Sequence, residues 1–319
     1  MNAARLLSSR RAPRSRDVLR SRELLGLLLL IPSLAGAASA PDWASTREFY
    51  CTPGRAHANA ADDPLIAPTR VFDNLYAIGR NSTTVYVLAT SDGLVLIDAG
   101  YPDQLDSVLL AGMAKLGLDP ARIKYVLVTH GHADHFGGAK VLQQRFGANV
   151  GASDLDWATI DRPGPDGAPS IGPKRDVVLE DGKTLVVGEA RITPVLVPGH
   201  TPGSLGFVFP VRDGNTAHVA ALFGGMILLP QRVADAAGLQ TFTDSLTHFA
   251  DVTRRLGVDV ELQNHALFDD FEPRLAQLAT RRSGAPHPFV VGTAGYQRFL
   301  GTITECMNAE VGRRQAQPR

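Results

Sequence analysis

Thr129-His-Gly-His-Ala-Asp-His-Phe-Gly-Gly138 follows directly on the apolar run Tyr125-Val-Leu-Val128. Four ligand-type side chains, His130, His132, Asp134 and His135, fall within six positions of it. A strand that stops at such a cluster delivers its side chains to the edge of a sheet. His130 and His132 flank a single residue, so on extended backbone they point the same way. Gly131 lets the chain turn, and Asp134 and His135 can aim at a second point. Neutral imidazoles with a carboxylate suit a borderline cation such as zinc. A lone histidine here would read as a solvated loop residue, whereas this density of ligands reads as a metal site.

Upstream, Leu75-Tyr-Ala-Ile78, Thr84-Val-Tyr-Val-Leu88 and Leu94-Val-Leu-Ile97 read as strands, the last ended by Asp98-Ala-Gly100. A helix is expected after Pro102, with Leu105, Val108, Leu109, Met113 and Leu116 at helical spacing. Downstream, the pattern predicts a helix over Ala139–Phe146 closed by Gly147. Four Pro and three Gly make Asp161–Lys174 a mobile loop. Strands are expected at Thr184–Val187, Ile192–Val197, Leu205–Val211 and His218–Phe223. The turn Pro198-Gly-His-Thr-Pro-Gly-Ser204 interrupts them. The last third predicts a helix near Thr241–Leu256, a strand Val258–Leu262, and helices near Phe271–Arg281 and Gly295–Arg313. Strands therefore precede helices in two similar batches, the order of two sheets packed face to face with helices outside.

Three more residues join the cluster because they also stand at strand ends. His200 sits on the tight turn between Gly199 and Pro202-Gly203, and His265 ends the strand Val258–Leu262. Asp98 ends a strand of the first batch, where it could brace a ligand histidine from behind. His57, His218, His248 and His287 lack that placement and read as structural.

The 319 residues can bury a large core, as one big domain or two small ones. The net charge of zero hides an asymmetry: residues 1–40 hold seven Arg against Asp17 and Glu23, and the remainder carries −5. That balance offers no nucleic-acid surface. An Arg-rich start, the apolar run Leu24-Leu-Gly-Leu-Leu-Leu-Leu-Ile31, and small residues up to Ala40 have the layout of a signal peptide over 1–40. A membrane anchor is the alternative, but the run is short of the roughly 20 residues a span needs and contains Pro32. The expectation is a periplasmic or secreted protein with no stable membrane anchor, cleaved after Ala37 or Ala40. Residues 41–70 are polar and Pro/Ala-rich and read as a surface arm, leaving 71–319 as the folded domain. Cys51 and Cys306 both lie in the exported part, which points to one disulfide between the arm and the C-terminal helix; two free thiols are the alternative.

Thr129-His-Gly-His-Ala-Asp-His135, Pro198-Gly-His-Thr-Pro-Gly203 and His265 resemble the metallo-β-lactamase superfamily, over roughly residues 70–312. The resemblance implies an α/β fold, an αββα sandwich of two mixed sheets flanked by helices, with two zinc ions at one edge. Carried over by motif, His130, His132 and His200 would hold one zinc, and Asp134, His135 and His265 the other, with Asp98 behind them. Glyoxalases, lactonases and phosphodiesterases of this fold place a metal-bridging Asp at the end of the strand read here as His218–Phe223. Gly224-Gly225-Met226 stands there instead, and the Cys of subclass B1 β-lactamases is absent too. This pattern is similar to subclass B3, as are the signal peptide, Leu75-Tyr-Ala-Ile-Gly79 and Gly203-Ser204.

The implied activity is hydrolysis of the β-lactam amide by a hydroxide made at the zinc pair. Asp134 and His200 would be its catalytic ligands, with no covalent enzyme intermediate. Subclass B3 members often carry substrate-holding serines where Met226 and Leu228 stand. Met226 is therefore expected beside the second zinc as an apolar substrate contact, and Arg232 is the nearest cation for the substrate carboxylate. They also commonly carry a Cys where Gly257 stands, which implies a rewired Cys51–Cys306 bridge. A small-molecule substrate and a monomer are expected. The rival readings are a hydrolase of another cyclic amide, ester or lactone, favoured by Met226, and a zinc-binding protein without catalysis.

Overall fold

Side chains alternate along a strand, so one strand can feed two layers at once. The computed structural model describes residues 41–52, 63–163, 168 and 170–316, and uses this alternation throughout. Its first sheet runs in chain order through β1 (Leu65–Phe72), β2 (Leu75–Arg80), β3 (Thr84–Thr90), β4 (Gly93–Ile97), β5 (Ile123–Leu127), β6 (Asn149–Ala152) and β7 (Val177–Val178). The first four strands form an antiparallel meander. From β4 onward the pairs are parallel, since helical segments cross between them. The second sheet holds β8 (Leu185–Val187), β9 (Ala190–Leu196), β10 (Leu205–Asp213), β11 (Thr216–Leu222) and β12 (Val260–Leu262), in the order β12-β11-β10-β9-β8. Its helices are α1 (Ala44–Cys51), α2 (Ala111–Lys115), α3 (Ala133–Phe136), α4 (Ala139–Phe146), α5 (Asp154–Ile160), α6 (Ala236–Arg255), α7 (Phe271–Ala279) and α8 (Gly292–Ala316).

Three apolar layers follow. Tyr86, Leu88, Val95 and Ile97 of the first sheet meet Phe207, Phe209 and Leu222 of the second. The alternate residues Val85, Val87, Leu94 and Leu96 turn outward to Leu109, Met113, Leu142 and Trp157. On the far side Val195, Val208 and Phe223 lie beneath Phe242, Phe249, Tyr296 and Phe299. This is the αββα sandwich that the resemblance implies. Among the described residues no helix is long and apolar enough to cross a membrane.

The helix after Pro102 begins as a 3₁₀ turn and a π-helical segment (Leu105–Leu110) before α2, and buries Leu105, Leu109 and Met113. Helix α4 ends as expected at Gly147, whose φ of 71° is the left-handed cap. Of the stretch read as a surface arm, the structure describes residues 41–52 and 63–70. They contribute α1 and most of β1, because Trp43, Phe49 and Tyr50 supply a buried face that polar neighbours hide from a compositional reading. The Trp43 indole donates to the Gly295 carbonyl, and Cys51 is disulfide-bonded to Cys306 of α8. Strand β1 escaped notice because two register irregularities and Pro68 break its alternation. The expected signal peptide lies outside the described residues, as do positions 164–167 and 169 of the expected loop.

Candidate metal centre

The C-terminal ends of β4, β5, β9 and β12 reach one edge of the sandwich, and each delivers a residue singled out in the sequence. Asp98 follows β4, His200 follows β9 and His265 follows β12, while His130, His132, Asp134 and His135 follow β5. His130, His135, His200 and His265 are buried; His132 and Asp134 are half-buried. Ligand atoms of His130, His132 and His200 lie within 4.8 Å of one another, and so do those of His130, His135 and His265. His200 Nε2 stands 3.0 Å from His132 Nδ1. Asp134 Oδ2 lies 3.2 Å from His135 Nε2 and accepts from Thr83 Oγ1 at 3.3 Å, which puts it beside the second group.

Hydrogen bonds set which ring nitrogens face inward. His200 Nδ1 donates to the Ile227 carbonyl and His265 Nδ1 to the Ser82 carbonyl. His135 Nδ1 donates to Asp98 Oδ2 at 2.7 Å. Thr129 gives its hydroxyl hydrogen to Asp98 at 2.9 Å, so its oxygen is free to accept from His130 Nδ1 at 3.1 Å. All four rings are thereby left with Nε2 facing inward, as a lone pair on His130, His200 and His265 and toward Asp134 Oδ2 on His135. The Nε2 atoms of His130 and His135 are buried without a hydrogen-bond partner. A cation supplies what such atoms lack, and second-sphere oxygens that fix the ring are the usual support for it.

The electrostatics agree. Burial, and then the neighbouring rings, hold His130 well below the usual imidazole range and bring His200 to about 3 and His265 to about 4. Burial lowers His132 as well. All four are therefore neutral donors at ordinary pH. His135 goes the other way: burial would lower it, but the charges of Asp134 and Asp98 lift it to about 10. Burial would raise Asp134, yet the His135 charge keeps it well below the carboxylate range. This corner of the site favours positive charge, and a divalent ion would take the place of the His135 proton. The donor set fits a metal.

Asp98 is the brace. It occupies the left-handed region at φ 67° and accepts from Thr129 N (2.8 Å), Thr129 Oγ1, His135 Nδ1 and Asn264 Nδ2 (3.0 Å). One carboxylate thus ties the ends of β4, β5 and β12. Asn264, Thr83 and Asp156 escaped the sequence reading. Asp156 had one signal, since Ser153-Asp-Leu-Asp156 reads as a helix start. Ser153 Oγ indeed accepts from the Asp156 amide at 3.2 Å. Nothing in that pattern discloses where its carboxylate goes.

Met226 is a correction. It has no exposed surface and lies in the core beside Tyr50 and Phe268, with its carbonyl accepting from Tyr50 Oη at 3.0 Å. Gly225, at φ 82°, turns the chain just before it, and the Met226 side chain joins the apolar layer under the outer helices. That side chain offers no surface to a substrate. Arg232 is exposed, its charge acts on His132, and it lines a cleft of about 440 Å³ with Leu155, Pro198, Thr201, Pro202 and Thr241.

Residues 78–219 match the family model described as the metallo-beta-lactamase superfamily. A hydroxyacylglutathione hydrolase of Anaeromyxobacter dehalogenans is 33% identical over 127 residues, 40% of this chain and 42% of that protein. The chain spans under half the length of the hydroxyacylglutathione hydrolases it matches. Among solved structures, the subclass B3 metallo-β-lactamase of Bradyrhizobium japonicum shares 24% identity at a TM-score of 0.64, covering 79% of this chain and 96% of that one. The native metallo-β-lactamase of Legionella gormanii shares 23% at 0.69, covering 80% and 99%. Those structural likenesses are likenesses of fold. The fold shared along nearly the whole neighbour and the sequence match over the motif-bearing part make the chain similar to the metallo-β-lactamase superfamily.

Proposed function

We propose that the chain is an exported hydrolase that holds two zinc ions and opens the amide bond of β-lactams. His130, His132 and His200 would hold one ion, and Asp134, His135 and His265 the other. Zinc bound there lowers the pKa of a water toward neutrality and polarises a carbonyl oxygen. The chain's own residues do the rest. Asp134 keeps part of its surface open to the edge, where its carboxylate can orient the attacking water. Asp98 and Thr129 hold the ring of His135, and the Ile227 carbonyl holds that of His200. With Met226 buried, Arg232 is the group proposed to meet the substrate carboxylate.

The observation that carries this reading is the end of β11. A Cβ on Gly224 would come within 2.9 Å of Thr129 Cβ, and one on Gly225 within 2.6 Å of His200 Cβ. A metal-bridging carboxylate, as in the glyoxalases, lactonases and phosphodiesterases of this fold, has no room at either position. The donor set keeps a single carboxylate among five imidazoles, which supports β-lactam over thioester chemistry. The second reading, a hydrolase of another cyclic amide, ester or lactone, is favoured by the similarity to hydroxyacylglutathione hydrolases. Purified, zinc-loaded protein should be offered a chromogenic cephalosporin, an S-acylglutathione and an aryl lactone. Turnover of the cephalosporin well above the other two supports the proposal. Preference for either of the others overturns it. Elemental analysis should find close to two zinc per chain.

Export is part of the proposal. The N-terminal sequence supports it, and so does the disulfide, which belongs to an oxidising compartment.

A further inference from the structure

Asp156 stands in the first turn of α5, 1% exposed, with both carboxylate oxygens engaged by the loops of the first histidine group. Oδ2 accepts from the Gly131 amide at 2.8 Å and from Thr201 Oγ1 at 2.7 Å, and Oδ1 accepts from the Gly203 amide at 3.1 Å. Gly131 is the residue between His130 and His132, and Thr201 directly follows His200. One loop hangs from β5 in the first sheet and the other from β9 in the second. Gly203 permits this approach, because a Cβ there would meet Asp156 Oδ1 at 2.8 Å. The second group, Asp134, His135 and His265, has no hydrogen bond to Asp156 and is braced by Asp98 instead.

We propose that Asp156 is a positioning residue that sets the spacing of His132 and His200, and so governs the affinity of the first triad for Zn2+ while leaving the second alone. The inference rests on reading the two groups as metal sites. The physical reason is geometric. His200 Nε2 and His132 Nδ1 lie 3.0 Å apart on loops from different sheets, and the two rings share no segment of chain that would keep them so. A buried acceptor of three donors does keep them so. An asparagine of the same shape cannot, because either orientation of its amide sets an NH2 group against a donor that needs an acceptor.

The test separates the sites. Zn2+ affinity is measured by competition with a chromophoric chelator in two backgrounds, His265→Ala, which leaves the first triad, and His200→Ala, which leaves the second. Asp156→Asn is expected to weaken Zn2+ by roughly 10–100-fold in the first background and to leave it unchanged in the second. Ser153→Ala removes the cap at the same helix start without touching the tie, and is expected to change neither. Should Asp156→Asn fail to fold, Thr201→Val removes one of the three donors and is expected to give the same split at smaller size. Equal losses in both backgrounds, no loss in either, or the same loss from Ser153→Ala would overturn the role of Asp156 alone. Absence of Zn2+ binding in both backgrounds would overturn the metal reading with it.

Discussion

Asp98 is held in a backbone conformation that costs most residues 1–2 kcal/mol but that Asp and Asn tolerate. Asp98→Asn therefore keeps the turn, removes the charge behind His135 and sets an NH2 group against one of the donors that Asp98 now accepts from. We expect it to lower Zn2+ affinity by roughly 10–100-fold, read by chelator competition, with the fold retained by circular dichroism. Met226 calls for a different outcome. Met226→Ser empties part of a packed layer and buries a hydroxyl, so it should cost about 2–5 kcal/mol in urea unfolding. It should leave KM for penicillins where it was; a clear fall in KM would restore Met226 to the substrate site. The contrast shows what was legible at this scale. His130, His132, His200 and His265 could be read because each imidazole stands at a strand end. Met226 joins its apolar layer through tertiary packing, and the partners of Asp156 lie in two distant loops. Neither leaves a mark in local sequence.

Between β12 and α7 lies a buried cluster of two carboxylates around one guanidinium. Arg274 Nη2 reaches Glu261 Oε2 at 2.5 Å and Asp269 Oδ2 at 3.0 Å. One negative charge is in excess. Burial first, and then the charge of Glu261, push Asp269 up to about 8 against the pull of Arg274. An acid whose folded pKa exceeds its unfolded value of about 3.9 binds its proton more tightly in the native state. Its stabilising contribution is complete below about pH 4 and is lost as pH rises through about 8. The urea midpoint should therefore fall between pH 6 and pH 9, and Asp269→Asn should flatten that slope. A midpoint that rises with pH over this range would contradict the placement of the proton. Elements with regular periodicity, such as α4 and β3, were legible in the sequence. Helix α1 and strand β1 were not, since a short polar helix and a bulged edge strand take their stability from tertiary packing rather than from pattern.

At the scale of the molecule, the two batches of strands and helices announced two sheets with helices outside, because alternating strands have two faces to cover. What the pattern withheld was the order of β12, which returns beside β11 after α6 to bring His265 to the common edge. The Cys51–Cys306 bridge joins α1 to α8 across a separation of 255 residues. The chain-entropy account puts its worth at up to about 5 kcal/mol, and measured values usually fall below that. Cys51→Ala with Cys306→Ala should lower the urea midpoint, reductant should do the same to the native protein, and neither should change the zinc content.

That bridge also decides what a protease can do to this chain. The exposed stretch 161–163 lies between β6 and β7, after the residues that follow β5 and before those that follow β9 and β12. A cut there divides the ligands, leaving His130, His132, Asp134 and His135 on one piece and His200 and His265 on the other. Cys51 stays with the first piece and Cys306 with the second, so neither is released. Each remains at the high effective concentration of a tethered partner. A nicked molecule can keep its site for as long as its surroundings are oxidising. Resistance to proteolysis is then a property the chain shares with its compartment.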